Sequence, residues 1–380
     1  MTAGPARSAR TRGPGVAAVA VLAVLGAGCA DEPGVPTVVQ SSPTDSSPTR
    51  TVPPDPEAAE PRVARAVATG LAVPWGIDFL PDGTALVTER DSRRVLAIDP
   101  SGEVSQVGEI SEAVPEGEGG LLGIAVSPDH ATDRSIYLYA TTATDNRVLR
   151  SSFAGGGLGP AEVVLEGIPR GVIHDGGRLA FGPDGHLYVS TGETGVPDLA
   201  QDPDSLAGKI LRITIEGEPA PGNPDPGSPV WSLGHRNVQG LAFDDRGRLW
   251  ASEFGAQTHD ELNLVRPGGN YGWPQVEGAG GGPDFIDPVV TWPTSEASPS
   301  GLAWSDGHLW MAALQGRRLW RIATSGARVG NPTPFLTDEH GRLRTVVVAP
   351  DDTLWVATSN RDGRGDPGPD DDQVLEVELR

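Results

Sequence analysis

Arg178–Thr191 reads RLAFGPDGHLYVST. Two short apolar runs, LAF and LYVS, flank a Pro-Asp-Gly turn. Asp and Gly supply the backbone geometry of a tight reversal, and the aromatic and β-branched residues on either side favour strands. The same pattern returns as GIDFLPDGTALVTE from Gly76, GIAVSPDHATDRSIYLYA from Gly123, GLAFDDRGRLWASE from Gly240, GLAWSDGHLWMAAL from Gly301 and TVVVAPDDTLWVAT from Thr345. The six copies are spaced by 47, 55, 62, 61 and 44 residues. A third apolar run usually follows, as in RVLAI (94–98), RVLRS (147–151), KILRI (209–213) and RLWRI (318–322). Repeats of about 40–60 residues, each carrying about four strands, are the mark of a β-propeller. The expected fold is therefore all-β, a six-bladed β-propeller over residues 62–380.

A propeller must close its ring. The last copy supplies only three runs, ending DQVLEVEL (372–379). VARAVAT (63–69), upstream of the first copy, is expected to pair with the C-terminal blade and remove the open edge. Composition agrees with many short strands: of 380 residues 51 are Gly and 36 are Pro, and hydrophobic content is only 37%.

Upstream of the propeller the sequence changes character. Arg7, Arg10 and Arg12 precede an apolar stretch from Val16 to Leu25, too short to span a bilayer. Leu25-Gly-Ala-Gly-Cys29 resembles a bacterial lipoprotein processing site, so residues 1–29 read as a lipoprotein signal peptide with Cys29 as the lipidated residue. The alternative is an ordinary cleaved signal and a secreted protein. Either reading places the protein outside the cytoplasm, membrane-attached only through a lipid anchor at Cys29. Cys29 is the only cysteine, which excludes an intrachain disulfide. Residues 30–61, rich in Ser, Thr and Pro, have too few apolar side chains to offset chain entropy and read as a disordered tether.

Net charge is −22, and Lys209 is the only lysine. Such a surface argues against nucleic acid as a partner but leaves room for a small anion in a local arginine pocket. Blade topology sorts the polar residues. The lead-in to each first strand and the loop after each second strand meet at one mouth of the channel, and the Asp-Gly turns fall on the opposite face. Functional groups belong where loops from several blades converge.

At that mouth His174, in VIHDGGR, is a candidate general base near neutral pH, or else a loop histidine bonded to backbone. His235 is a weaker candidate. Arg236, Arg342 and Arg344 could grip a small polyanion, or form ion pairs with Glu118, Glu193 or Glu253. The Glu253–Ala256 loop with Asp260, Glu261 and Tyr271 is rich in the oxygen ligands that calcium takes, though not at EF-hand spacing. No zinc-type spacing occurs.

GEGGLLGIAVSPD (117–129), HDGGRLAFGPDGHLYVSTGE (174–193), GHRNVQGLAF (234–243), SEFG (252–255), DELNLVRPGGNYGWP (260–274) and TSNRDGRG (358–365) together resemble the soluble quinoprotein sugar dehydrogenases, the glucose/sorbosone dehydrogenase family with its aldose sugar dehydrogenase branch. The resemblance spans residues 62–380. It implies a six-bladed propeller binding pyrroloquinoline quinone (PQQ) and Ca2+, oxidising an aldose at C1 and passing electrons to an external acceptor. It also implies roles by position. His174 matches the base that takes the C1 hydroxyl proton, and Arg236 the residue that stabilises charge on the quinone. Asn237, Arg342 and Arg344 match cofactor contacts. Gly255 and Ala256 match carbonyl ligands of the cofactor-bound calcium, and Glu261 and Tyr271 ligands of a second calcium. Glu118 and Gln315 stand at cofactor-contact positions where the glucose enzymes have a glutamine and a lysine. Ile173 stands where they have a sugar-binding aspartate, which implies a broader or different aldose range. Two other readings of the scaffold are a non-redox ligand- or protein-binding propeller and a calcium-dependent lactonase-type hydrolase.

Overall fold

A computed structural model describes residues 60–380. The segment read as a signal peptide, Cys29 and the expected tether up to residue 59 lie outside the described residues. Six antiparallel sheets follow one another in chain order, and each expected hairpin forms the inner half of one of them. The innermost strands are Pro74–Phe79, Leu121–Val126, Leu179–Phe181, Val238–Phe243, Pro299–Ser305 and Leu343–Val348, for blades 1 to 6. Blade 6 is closed as expected: Pro61–Ala68 pairs antiparallel with Val374–Leu379, with Pro61 opposite Leu379 and Ala68 opposite Val374. The strand begins at Pro61, so the folded unit takes in the last residue assigned to the tether.

Two features of the repeat explain the ring. Alternate residues of each sheet pack on the next blade: Leu86 and Val95 of blade 1 join Ile124, Ile136 and Leu138 of blade 2, and Trp310 and Leu319 of blade 5 join Val346, Leu354 and Val356 of blade 6. Burying each such side chain is worth about 1.5–3 kcal/mol. The leading glycine of the repeat marks where inner strands of neighbouring blades approach most closely. A Cβ at Gly123 would meet the Gly177 carbonyl at 2.1 Å, and one at Gly240 the Ser300 carbonyl at 2.3 Å. Blades 3 and 6 carry Arg178 and Thr345 in that place.

The two faces are built differently. On the turn face, aspartates cap their own reversals: Asp82 Oδ1 accepts the Thr84 amide at 3.0 Å and Asp184 Oδ1 the His186 amide at 3.2 Å. In blade 4 the capping carboxylate is Asp244; it accepts the Arg246 and Arg248 amides, each at 3.0 Å. On the mouth face, the residue that ends the second strand reaches back to the lead-in. Glu89 accepts the Ala72 amide at 2.7 Å, Glu253 the Arg236 amide at 2.9 Å and Asn360 the Arg342 amide at 2.8 Å. These clamps fix the lead-ins that carry the site.

Candidate active site

The lead-in to blade 3 holds His174 in a left-handed conformation, φ 60°, uncommon for a residue with a Cβ. What imposes it is a bond across the blade boundary: the His174 amide donates to Glu118 Oε2 at 2.9 Å. The ring Nδ1 meets Glu193 Oε1, from the loop after the second strand of the same blade. Glu193 is 1% exposed, and its other oxygen has no partner. A carboxylate accepts only, so the pairing assigns the proton to Nδ1 and leaves Nε2 as the acceptor. No described residue bonds Nε2. The His174 ring is thus bonded to a side chain rather than to backbone, with Nε2 open. Glu193 follows the second strand just as Glu253 ends it in the next blade, so the repeat already carried the signal for this partner.

Glu118, the added negative charge at the mouth, is answered within the protein. Arg364 pairs with its Oε1 at 2.8 Å. Burial works against the carboxylate, but the His174 amide and Arg364 outweigh it and hold the Glu118 carboxyl below its ordinary range. Arg364 carries no sequence signal for this role, because its partner lies four blades away along the chain.

Three further arginines converge. Arg342 and Arg344 share a single carboxylate, Asp362, at 3.0 and 3.3 Å. Burial lowers the Arg344 pKa to about 10. Arg236 projects from the lead-in of blade 4, its guanidinium over the Trp273 ring at 5.4 Å. Its buried Nε has no partner, and it joins no ion pair among the described residues. Beside it the Asn237 Oδ1 accepts the Gly176 amide at 3.1 Å, which pins blade 4 to the His174 lead-in. Two openings serve these groups. A narrow recess is lined by Arg90, Glu118, Gln239, Arg344, Asp362 and Arg364. A polar cavity of about 400 Å³ adjoins it, lined by Gln315, Arg317, His340, Arg342 and Arg364 among others. Gln315 is exposed there, and Arg317, two residues on, is paired with Asp338 on the same wall at 3.2 Å. The expected residues Glu118, Arg342 and Arg344 are therefore brought together, with Gln315 on the outer cavity. The donor set, two guanidiniums sharing one carboxylate and a third with an orphaned Nε, fits a compact ligand carrying several carboxylates.

The loop after the second strand of blade 4 is turned inside out. The amides of Ala256, Gln257, Thr258 and His259 all donate to Glu277 Oε1, at 2.8 to 3.0 Å. Burial raises the Glu277 pKa, yet these bonds pull it down to about 2. The Gly255 amide is taken by Asp260 Oδ1 at 2.8 Å. With the amides facing inward, the carbonyls of Gly255 and Ala256 receive no donor among the described residues, which suits a hard cation. Glu277 belongs to an irregular stretch outside the repeat and left no signal in it.

Glu261 and Tyr271 lie deeper. Glu261 accepts the Gly278 amide at 2.7 Å and the Asn263 side-chain amide at 3.1 Å; burial and the nearby Glu253 push its pKa up to about 8. Asn263 Oδ1 is buried without a partner, so oxygen is available beside Glu261. The Tyr271 hydroxyl is committed: it donates to the Leu264 carbonyl at 2.8 Å and accepts the Arg266 amide at 2.9 Å. Tyr271 could serve a metal only through its backbone carbonyl. No cluster of three or more His, Cys, Asp or Glu side chains is arranged around a metal position among the described residues, so any cation here would draw largely on carbonyl oxygens.

Comparison with known proteins agrees with this geometry. A PQQ-bound aldose sugar dehydrogenase from Streptomyces coelicolor is 55% identical and superposes with a TM-score of 0.83, over 85% of this chain and 98% of that one. The aldose sugar dehydrogenase of Escherichia coli strain K12 is 30% identical over 76% of this chain and 88% of its own length. Quinoprotein glucose dehydrogenase B of Acinetobacter calcoaceticus is 33% identical over 56% of this chain and 52% of its own length. Residues 71–365 match the family model described as glucose/sorbosone dehydrogenase, and the chain belongs to that family.

Proposed function

We propose that this protein oxidises an aldose at C1 to its lactone, with PQQ held at the mouth and His174 as the general base. The observation that carries this reading is the His174–Glu193 pair, whose Nε2 has no partner among the described residues and whose backbone amide bonds Glu118, a residue lining the recess with Arg90, Arg344 and Arg364. PQQ, when bound, supplies the two-electron acceptor for the C1 hydride. His174 Nε2 takes the O1 proton as that hydride leaves, and Glu193 steadies the imidazolium that results. Arg342 and Arg344 would hold the cofactor's carboxylates, and Asn237, Glu118 and Gln315 border it. Arg236, unpaired and partly desolvated, offers positive charge where negative charge develops. The Gly255 and Ala256 carbonyls would hold calcium against the cofactor, and Glu261 with the Tyr271 carbonyl a second ion that braces the blade. Ile173, 39% exposed beside the base, presents an apolar lip where the glucose enzymes have an aspartate, which favours a broad aldose range.

The test is to add PQQ and calcium to the purified apoprotein and follow dye reduction with a panel of aldoses. Turnover with several aldoses is expected. No turnover together with no calorimetric binding of PQQ would refute the reading. For the N-terminal segment we propose lipid attachment at Cys29; fatty-acid labelling that persists in Cys29→Ser would refute it.

A further inference from the structure

Arg178 is the least explained charge in the molecule. It occupies the glycine position of the repeat in blade 3, and its side chain crosses the central channel. Nε donates to the Gln239 carbonyl of blade 4 at 2.9 Å, and Nη2 to Thr345 Oγ1 of blade 6 at 3.2 Å. Thr345 fills the glycine position of the blade directly opposite. The guanidinium lies 4.3 Å from the centre of the Trp75 ring, from blade 1, and Arg344 lies near the same ring at 6.0 Å. Arg344 lines the recess at the mouth and Arg178 the channel cavity, with the Trp75 ring near both. Arg178 is 7% exposed and forms no ion pair among the described residues. No described acceptor bonds its Nη1.

Below this crossbar is a cavity of about 280 Å³, walled by Ile77, Ile124, Leu179, Leu241, Leu302 and Val346, one residue from each innermost strand. Its only other ionisable side chain is Asp78. Both Asp78 oxygens are occupied, by the Phe79 amide at 2.8 Å and the Val126 amide at 2.7 Å. Burial pushes the Asp78 pKa up to about 6 and lowers that of Arg178 to about 9, so both are charged near pH 7, with the Asp78 oxygens committed to the two amides. A buried cation with no ion-pair partner is costly, and its unbonded Nη1 above this cavity offers a small anion both charge and a place.

We propose that the channel cavity beneath Arg178 is a binding site for a small monovalent inorganic anion of halide size, bonded to the Arg178 guanidinium. Such an ion neutralises the lower of the two cations around Trp75 and leaves Arg344 as the one that faces the mouth. The assignment is independent of the redox reading.

The test uses bromide as the probe on the full chain. Crystals grown in sodium bromide should show an anomalous peak in this cavity, within hydrogen-bond distance of the Arg178 guanidinium. Ordered water alone in the cavity, with bromide filling other sites, would overturn the proposal. In solution, replacing methanesulfonate by bromide at constant ionic strength should raise the unfolding midpoint by a few degrees, as mass action requires, and Arg178→Gln should abolish the rise. A rise that persists in Arg178→Gln would also overturn it. Should that variant fail to fold, the anomalous map of the unmodified protein decides.

Discussion

His174 and His235 lie one position apart in the lead-ins of successive blades, four residues before Arg178 and five before Gly240. Each precedes an innermost strand, and each offers Nδ1 to a buried glutamate from the loop or strand end opposite, Glu193 or Glu253. The outcomes differ. His235 is fully buried, its Nε2 bonded to Ser232 Oγ at 2.8 Å and its ring stacked on Tyr271 at 4.6 Å. Every polar atom of that ring is spent on structure. At His174 the Glu118 clamp and the left-handed backbone leave Nε2 without a protein partner. A histidine–carboxylate pair is therefore fully bonded in blade 4, while in blade 3 one ring nitrogen is left open, as the proposed base requires.

The largest expected effect follows at once. His174→Ala should lower kcat by about 10²–10⁴-fold while PQQ affinity and the unfolding midpoint stay near those of the parent, because positioned bases contribute on that scale. Loss of PQQ binding in this variant would reassign His174 to cofactor binding. Glu193→Gln comes next. An amide can also present its NH2 to Nδ1 and select the wrong tautomer, and kcat should fall by roughly 10²-fold or more, as when a tautomer-fixing carboxylate is lost elsewhere. An unchanged kcat would show that Glu193 does not set the proton's position. His235→Ala should do the reverse: it leaves Glu253 and Ser232 short of partners inside the protein and costs about 1–3 kcal/mol of stability by chemical denaturation, with kcat of the folded fraction within a few-fold of the parent. A large kcat loss at parental stability would erase the contrast.

The smallest effect concerns Glu118. Its folded pKa lies below its unfolded value, so its contribution is fully present above the unfolded pKa and is lost as pH falls through the folded one. Glu118→Gln should flatten the acid limb of the stability profile by lowering stability near pH 7, only slightly since the Arg364 partner is largely exposed, with parent and variant converging at low pH. An unaltered acid limb would remove the pair from the account.

Local signals were enough for the architecture. Asp-Gly turns, alternating apolar runs and a recurring glycine specify six hairpins, and the one unpaired strand at each terminus specifies the closure. They were also enough to bring His174, Arg236, Arg342 and Arg344 to one mouth. They did not reveal what answers each charge. Arg364 and Glu118, or Glu277 and the amides of the 256–259 loop, meet through blade order and irregular loops, where sequence distance carries no register. Glu118 looked like an uncompensated charge for that reason, and Arg178 looked like an ordinary repeat position until its side chain was seen to span the channel.

The central claim is that the arginine-lined mouth holds PQQ and delivers it to a base that binding does not require. Calorimetric titration of PQQ, in calcium, into the parent protein and His174→Ala in parallel tests it most directly. The account predicts one PQQ per chain with closely similar affinity in both proteins. An absence of binding to the parent would contradict it.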